Sequence, residues 1–524
     1  MTGKKQSGCT RAGGSGNNRI IDTPAGPILG QVDVDSGVTL FLGIPYALPP
    51  IGDLRWRPPE PFPRWQSPLA AYCFGMPAPQ NPSTLMEILG PGGEPPESED
   101  CLYLNIYASI QACTNKLPVM IWIHGGSFYM GSGCQPVYNG RHLAASGRAI
   151  VVTLNYRLGS LGFLRLAECS DVEASGNEGV QDQIAAIRWV QTNITAFGGD
   201  PDNITLFGES AGAMSITALM AIPHCKGLFH RAVIQSGSPC AIQDRDRANS
   251  LAEAFVGKLQ CNSGVSPAAA TTRQLLQAQR EILADPRLER EWGQLPFKPV
   301  LDGELLTVTP IEAVRQGHAT EVPLLVGSNL EEWNLFSVSD PGSFTLDRAR
   351  IVSHLNWLLP EPELNDLLDH YYSRARTLEA SPWPEWSRAW NLMLTDMIFT
   401  VPGLRLLEAH AGKRYHYHFA QPLAAQPLLG ACHAVELGYV FGTHGEESLH
   451  DLYGGEQDAD ALSCAVREAW LNFAETGDPG PEWPAFTEGH SRRFGEHPEA
   501  HTFDRATVTR IWQDIGDDLI GRYL

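Results

Sequence analysis

The chain has 524 residues, of which 43% are hydrophobic and 19% are charged, a composition typical of a folded protein with a large core. Its 38 basic and 59 acidic residues give a formal net charge of −21, which disfavours nucleic acid and anionic membranes as partners. No apolar run approaches the ~18–20 residues that a membrane span needs. These properties exclude a largely disordered protein and a transmembrane one.

The first 18 residues differ in composition from the rest of the chain. They include a lysine pair, but Gly, Ser, Thr and Asn follow it where a secretory signal would have an apolar stretch. We therefore expect residues 1–18 to form a flexible tail and residues 19–524, which contain no linker or repeat, to form a single domain. Without a signal peptide or a membrane span, we expect a cytoplasmic protein; the sequence leaves its oligomeric state open.

The chain contains 11 cysteines, an odd number, so at least one thiol stays unpaired within the chain. The cysteines are scattered and lack the close spacing of a zinc site. We expect no metal site and no cofactor.

Short apolar runs bounded by turn residues recur in the first half of the chain. They are rich in β-branched residues and almost continuously hydrophobic, which is typical of strands that are covered on both faces. The four clearest runs lie at residues 119–123, 149–154, 204–207 and 232–234.

Helical segments are predicted between and after these strands. Residues 179–197 place Ile184 and Ile187 at helical spacing, between two predicted strands. Residues 345–410 are mainly helical, residues 415–419 return to a strand, and residues 461–473 form a last helix. Alternating strands and helices predict an α/β fold with a mainly parallel central sheet, helices on both faces and large helical insertions.

The segment Gly208-Glu209-Ser210-Ala211-Gly212 directly follows the predicted strand 204–207. A serine between two glycines at the end of a strand is typical of a nucleophile elbow, in which the serine occupies a strained turn that leads into a helix. The free N–H groups at the start of that helix point toward the serine. We predict that Ser210 is a nucleophile.

A serine nucleophile needs a base, a group that orients the base, and donors for the oxyanion. The segment 124–128, His-Gly-Gly-Ser-Phe, follows another predicted strand and allows backbone N–H groups to turn inward. We predict an oxyanion hole formed by the N–H groups of Gly126, Ser127 and Ala211.

The chain resembles the type B carboxylesterases, the family of cholinesterases and carboxylesterases with the α/β-hydrolase fold. Besides the elbow and the Gly-Gly loop, the resemblance rests on four motifs in the expected order: Phe-Leu-Gly-Ile-Pro-Tyr-Ala at 41–47, Ser-Glu-Asp-Cys-Leu at 98–102, Asn-Tyr-Arg-Leu-Gly at 155–159 and Phe-Gly-Gly-Asp-Pro at 197–201. It implies ester hydrolysis through an acyl-enzyme, without a metal or organic cofactor.

The resemblance also implies the acid and the base of the triad. The segment 327–333 matches the family's segment around its catalytic glutamate, and the alignment assigns the role to Glu332 and excludes its neighbour Glu331. The segment 430–437 resembles the family's histidine segment and assigns the base to His433. Three further residues match supporting positions of the family: Glu209, Ser236 and Glu436.

The sequence departs from its family at several positions. Ser127 replaces a glycine of the oxyanion loop, and its hydroxymethyl group is expected to narrow or polarise the pocket. Cys101 matches a disulfide-bonded cysteine, but its usual partner position is Ala78; a bond to Cys73 remains open. The missing family disulfides favour a reducing compartment.

Two departures bear on the substrate. Residues 73–101 contain no tryptophan, although cholinesterases place their choline-binding indole there. The positions that make the acyl pocket of acetylcholinesterase aromatic correspond to Gly293 and Leu295. We therefore expect a permissive acyl site, nearer to bacterial carboxylesterases of the p-nitrobenzyl esterase type.

Taken together, the sequence predicts a serine carboxylesterase that acts on a small-molecule ester. Two alternatives stay open. A lipase or an amide or carbamate hydrolase uses the same triad, and some members of this family are binding proteins that have lost it. Because all three triad positions are filled, the binding-protein alternative is disfavoured.

Overall fold

A computed structural model of the chain describes residues 18–89, 96–111, 115–285, 287–377, 381–454, 459–486, 490–495, 500–502 and 505–524. Its first strand begins at Asn18, the last residue of the predicted tail, and residues 1–17 lie outside the described part. The strands are β1 (Asn18–Thr23), β2 (Gly26–Asp33), β3 (Val38–Pro45), β4 (Leu69–Ala70), β5 (Tyr103–Ser109), β6 (Leu117–Ile123), β7 (Ile150–Leu154), β8 (Gly199–Glu209), β9 (Arg231–Gln235), β10 (Leu324–Asn329), β11 (Arg414–Phe419), β12 (His490–Phe494) and β13 (Ala500–Thr502).

These strands form one mixed sheet in the order β1-β2-β3-β5-β7-β6-β8-β9-β10-β11-β12-β13, with β4 beside β2. From β7 to β12 every neighbouring pair is parallel, whereas the pairs from β1 to β7 and the pair β12–β13 are antiparallel. The predicted parallel sheet is thus confirmed for the centre, and antiparallel strands extend both edges.

Helices connect the strands and form the insertions. In chain order they are α1 (Thr84–Leu89), α2 (Arg141–Ala145), α3 (Gly159–Gly162), α4 (Glu178–Asn193), α5 (Ala211–Ala221), α6 (Arg245–Ser263), α7 (Thr272–Leu283), α8 (Leu288–Glu291), α9 (Pro310–Arg315), α10 (Asn334–Val338), α11 (Arg348–Leu355), α12 (Glu361–Thr377), α13 (Glu385–Thr395), α14 (Val401–Ala409), α15 (Leu437–Phe441), α16 (His450–Tyr453), α17 (Ala459–Thr476), α18 (Arg505–Trp512) and α19 (Asp517–Tyr523). A π-helical turn, Asp396–Thr400, joins α13 to α14.

Strand β6 shows why helices cover both faces of the sheet. Successive side chains of a strand point to opposite faces. Ile121 and Ile123 belong to the same hydrophobic cluster as Leu219 of α5, whereas Trp122 belongs to a second cluster that contains Trp470 of α17. The continuous hydrophobicity of this strand therefore reflects burial on both sides.

The carboxyl ends of the parallel strands determine where functional residues meet. Strand β6 leads to the Gly-Gly loop, β8 ends at Glu209, β9 ends one residue before Ser236, and β10 ends three residues before Glu332. In open α/β sheets, ligands bind at this edge. Within the described ranges, no helix is both long enough and apolar enough to cross a membrane.

The structure answers the question about Cys73 and Cys101. Cys101 is buried with a free thiol, and Cys73 is disulfide-bonded, so the two are not joined to each other. Cys261, which matches a cysteine of a second family disulfide, is also free and is exposed.

Candidate active site

Ser210 lies on a tight turn between β8 and α5. Its backbone has φ 52° and ψ −124°, a conformation that residues with a side chain rarely adopt and that typically costs about 1–3 kcal/mol. The flanking glycines allow this turn: a Cβ at Gly208 would lie 2.8 Å from the carbonyl oxygen of Ile123, and one at Gly212 would collide with the same oxygen. The pattern of small residues in the sequence thus corresponds to close packing of the elbow against β6.

Three backbone N–H groups near Ser210 are free to bind a ligand. The N–H groups of Gly126, Ser127 and Ala211 donate to no acceptor among the described residues, and Ala211 is the first residue of α5. Gly126 has φ 110° and Ser127 has φ 55°, so the loop turns sharply here in spite of the serine side chain. Free N–H groups beside a serine are the arrangement that an oxyanion hole requires.

Glu332 is completely buried and is held on both oxygens. Its Oε1 accepts hydrogen bonds from the Ser236 hydroxyl at 2.5 Å and from the Asn329 N–H at 2.6 Å. Its Oε2 lies 2.7 Å from Nδ1 of His433. This carboxylate is therefore fixed on the imidazole, in the position expected for the acid of a triad.

The other nitrogen of His433 contacts a second carboxylate. Nε2 lies 2.8 Å from Oε1 of Glu209, and no hydrogen bond joins His433 to the Ser210 hydroxyl in the described part of the chain. The contact is a short ion pair, and no other group donates a hydrogen bond to Glu209 Oε1. The structure thus brings Ser210, His433 and Glu332 to one site, with Glu209 beside the proton-accepting nitrogen.

The two carboxylates govern the charge of His433. Burial alone would lower the pKa of this imidazole, because it disfavours the charged form. The negative charges of Glu209 and Glu332 outweigh burial and raise the pKa of His433 well above its ordinary value of 6.5. In this resting arrangement, the imidazole holds a proton more tightly than a free histidine does.

Two phenyl rings pack against the imidazole of His433, each tilted relative to its plane. The ring of Phe399 lies 4.8 Å from that of His433, and the ring of Phe336 lies 5.2 Å from it, measured between ring centres. Phe399 belongs to the π-helical turn, a feature that often marks functional sites. No sequence motif pointed to Phe399, whereas Phe336 lies three residues after the segment 327–333.

Glu436 lies behind the triad and contacts it through two amides. Its carboxylate accepts hydrogen bonds from Gln235 at 3.0 Å and from Asn329 at 2.7 Å. Burial and the charges of Glu209 and Glu332 raise its pKa to about 7. Since Gln235 precedes Ser236 and Asn329 donates to Glu332, Glu436 connects the segments that carry the acid.

The imidazole of His124 contacts the backbone of the Gly-Gly loop. Its Nδ1 lies 2.7 Å from the Gly125 carbonyl oxygen, and its ring stacks on Tyr156 at 4.4 Å. Burial lowers its pKa to about 4, so the ring is neutral at physiological pH and does not compete with His433 for a proton.

A cavity of about 780 Å³, its open mouth included, lies above Ser210. Leu335, Leu437 and Leu452 give it apolar walls, and Tyr138 and Tyr453 contribute aromatic ones. Glu209, Ser210 and His433 also line it, and so does Ser127 of the Gly-Gly loop.

Gly293 and Leu295, expected from the resemblance at the acyl pocket, are not among the described residues that line this cavity. The segment instead packs on the last residues of the chain: the N–H groups of Gln294 and Leu295 donate to the carbonyl oxygens of Tyr523 and Leu524. A side chain at Gly293 would meet the Leu524 backbone. The role assigned to these two positions is therefore wrong for this cavity.

Outside this site, two histidines, His416 and His418, lie close together. The two rings lie 4.7 Å apart on β11, and His416 Nδ1 lies 2.9 Å from the Ser491 hydroxyl. Among the residues that the structure describes, no three His, Cys, Asp or Glu side chains are grouped to hold a metal ion.

Known proteins resemble this chain along most of its length. The model of the carboxylesterase family matches residues 17–512. The para-nitrobenzyl esterase of Bacillus subtilis (strain 168) is 39% identical over 483 residues, covering 90% of this chain and 93% of the relative. Acetylcholinesterase 1 of Caenorhabditis elegans is 34% identical, covering 84% of this chain and 76% of the relative.

Solved structures show the same similarity. A carboxylesterase of Geobacillus stearothermophilus has a TM-score of 0.81 at 35% identity, covering 94% of this chain and all of the other. A PNB esterase has a TM-score of 0.80 at the same identity and the same coverage.

Proposed function

This chain belongs to the carboxylesterase family and is a hydrolase of carboxylic esters, and on that premise we propose that it cleaves them with a Ser210–His433–Glu332 triad through an acyl-enzyme. The observation that carries the proposal is the carboxylate of Glu332 on Nδ1 of His433, at a site that also presents a strained serine and three free N–H groups. Each component that nucleophilic ester cleavage requires is present at one edge of the sheet.

In the first step, the Ser210 oxygen attacks the ester carbonyl carbon and His433 takes the hydroxyl proton. The carbonyl oxygen becomes an oxyanion, which accepts hydrogen bonds from the N–H groups of Gly126, Ser127 and Ala211. Loss of one such donor typically costs ~2.7–4 kcal/mol of barrier. His433 then gives its proton to the alcohol oxygen, the C–O bond breaks, and the acyl group stays on Ser210.

In the second step, water attacks the acyl carbon and His433 takes one of its protons. The tetrahedral intermediate uses the same oxyanion hole, and its collapse returns the proton to Ser210 and releases the carboxylic acid. Glu332 stays ionised throughout: it holds the imidazole in the tautomer with its proton on Nδ1 and stabilises the imidazolium.

For the first step to occur, Nε2 of His433 must accept a proton from Ser210, so its contact with Glu209 must be exchanged for one with the serine hydroxyl. No other hydrogen bond fixes Glu209 Oε1 against Nε2, which supports this exchange. The imidazole must also be neutral, and its raised pKa therefore shifts the acid limb of the activity to higher pH than an unperturbed histidine would give.

The cavity supports a small, uncharged ester as substrate. Its walls are mainly aliphatic, and no tryptophan is among the described residues that line it, so the indole that would bind a quaternary ammonium is missing. The similarity to the para-nitrobenzyl esterase also favours an uncharged ester as substrate. We propose that esters of uncharged alcohols are cleaved in preference to choline esters.

The experiment is hydrolysis of a series of p-nitrophenyl esters of increasing acyl length by the wild type and by Ser210→Ala. We expect the variant to lose at least a thousandfold in kcat for every ester. Equal rates for the two proteins would refute the mechanism. The chain-length profile of the wild type measures the acyl site, and acetylcholine as the best substrate would overturn the proposed preference.

A further inference from the structure

Glu331, the neighbour of the triad acid, makes contacts that an ordinary acidic residue at a strand end does not make. Its N–H donates to the Ala431 carbonyl oxygen at 3.0 Å, and its side-chain Oε2 accepts from the Ala431 N–H at 2.9 Å. One residue thus satisfies both polar backbone groups of Ala431, which is buried. Ala431 precedes His433 by two residues.

The backbone of the neighbouring residue is shaped around this carboxylate. Gly430 has φ 58°, a left-handed conformation that favours glycine. A Cβ at Gly430 would collide with Oε2 of Glu331. The carboxylate therefore occupies the space that a side chain at residue 430 would need.

This contact belongs to a set that joins two loops of the site. We call residues 329–334 the acid loop and residues 429–433 the histidine loop. Further backbone links are Asn334 Nδ2 to the Leu429 oxygen at 3.2 Å, Asn329 Nδ2 to the Cys432 oxygen at 2.7 Å, and the His433 N–H to the Glu332 oxygen at 3.3 Å. Two carboxylates also join the loops: Glu332 contacts the His433 imidazole, and Glu331 contacts the Ala431 backbone.

The surroundings of Glu331 indicate that its carboxylate holds the neighbouring backbone and does not take part in the reaction directly. Burial raises the pKa of its carboxyl group, while the hydrogen bond from Ala431, the Asn334 amide and the charge of Arg388 oppose this shift. Glu331 is not among the residues that line the cavity above Ser210. It therefore acts on the reaction only through the groups that it holds.

We propose that Glu331 is a positioning residue for the reaction: by holding Ala431, it sets the distance between the His433 imidazole and both Glu332 and Ser210. The inference rests on the proposed triad. Without the carboxylate oxygen, the Ala431 N–H is buried and unpaired, and the histidine loop shifts to find another acceptor. A displacement of about 1 Å at a reacting group costs as much as a hundredfold in rate.

Three variants of Glu331 separate the effect of side-chain length from the effect of charge. Glu331→Ala removes the acceptor, Glu331→Asp keeps the charge but is one methylene too short, and Glu331→Gln keeps the reach and an acceptor oxygen without the charge. We expect kcat to fall about ten- to hundredfold in the Ala and Asp variants and to recover most of its value in the Gln variant. KM stays within about twofold, since the cavity wall is unchanged.

Two readouts distinguish positioning from a loss of folded protein. The first is kcat per active site, with active sites counted by stoichiometric labelling of Ser210 with an organophosphonate ester. The second is the acid limb of the pH profile of kcat/KM: a looser contact with Glu332 lowers the pKa of His433, so the limb moves to lower pH in the Ala and Asp variants. A merely structural residue lowers the number of labelled sites and leaves both readouts unchanged.

The matched control is Glu312→Ala, on the surface helix α9, where the side chain is 47% exposed; it should behave as wild type. If Glu331→Ala does not fold, the Asp and Gln variants decide. Wild-type kcat per labelled site in Glu331→Asp, or a Gln variant as impaired as the Asp variant, would overturn the inference. Ser210→Ala and Glu332→Gln are measured in parallel: if these retain activity, it is the triad that fails.

Discussion

The two carboxylates that flank the His433 imidazole are held in different ways. On the Nδ1 side, Glu332 uses both oxygens, and Ser236 and Asn329 fix it from behind. On the Nε2 side, Glu209 faces the imidazole at 2.8 Å, but its Oε1 has no hydrogen-bond partner. In the proposed mechanism this difference separates two tasks: Glu332 orients the base permanently, and Glu209 stabilises its charged form and is replaced by the serine hydroxyl.

The largest effect is expected from Glu332→Gln. The amide keeps the size of the side chain but does not stabilise an imidazolium, and it allows the wrong tautomer of His433. We expect kcat/KM to fall by about 10⁴-fold. Rates measured with p-nitrophenyl acetate test this, and a loss below about tenfold would show that Glu332 is not the orienting acid.

Burial and the negative charges of Glu209 and Glu332 raise the pKa of Glu436 from the ordinary 4.5 to about 7. A raised carboxyl pKa means that the folded protein binds this proton more tightly than the unfolded chain. The resulting penalty is absent below pH 4.5, grows as pH rises to about 7, and is constant above that.

Replacing Glu436 with Gln removes this penalty. Relative to wild type, the free energy of unfolding of Glu436→Gln should therefore improve between pH 5 and pH 8, by roughly 3 kcal/mol at most. Denaturant unfolding at several pH values measures the difference. The changed hydrogen bonds to Gln235 and Asn329 add a constant offset, so only the slope with pH counts, and a flat difference would contradict the prediction.

Glu209→Gln tests the other side of the imidazole. The charge of Glu209 raises the pKa of His433, and activity needs the neutral imidazole. Without that charge, the pKa of His433 falls and the acid limb of kcat/KM should move to lower pH. Glu312→Gln serves as the control. An acid limb at the same pH as in the wild type would show that the charge of Glu209 does not affect the pKa of His433 in solution.

The smallest effect is expected from Ser236→Ala. It removes one of the two hydrogen bonds that fix Oε1 of Glu332, while the Asn329 N–H remains. We expect kcat to fall about two- to tenfold, the equivalent of one ordinary hydrogen bond. Steady-state kinetics measure it, and a loss as large as that of Glu332→Gln would show that Ser236 takes part in the chemistry directly.

Local patterns in the sequence were sufficient for the elbow and for the centre of the sheet. The glycines around Ser210 lie within five residues of one another, and the apolar runs that became β6, β7, β8 and β9 are continuous. Such features depend on the steric fit of neighbouring residues and on burial. Both can be recognised in a short stretch of sequence. The predicted helices at 179–197 and 461–473 were likewise confirmed as α4 and α17, within a few residues at each end.

The contacts between distant segments were not accessible in this way. His433 and Glu332 are separated by 101 residues, and only the family resemblance paired them. The contact of Glu209 with Nε2 and the contact of the Phe399 ring with the imidazole depend on how separate loops pack. Gly293 and Leu295 were misplaced for the same reason, because the N–H groups of Gln294 and Leu295 donate to residues at the end of the chain, more than 200 residues away.

The left-handed backbone of Ser210 also has an evolutionary consequence. Glycine would adopt this turn without strain, so under the proposed mechanism the residue that the reaction needs is not the one that the fold prefers. Selection for stability alone would therefore replace the serine and leave an inactive protein with an unchanged fold. The presence of serine at this turn is a sign that selection has acted on reactivity.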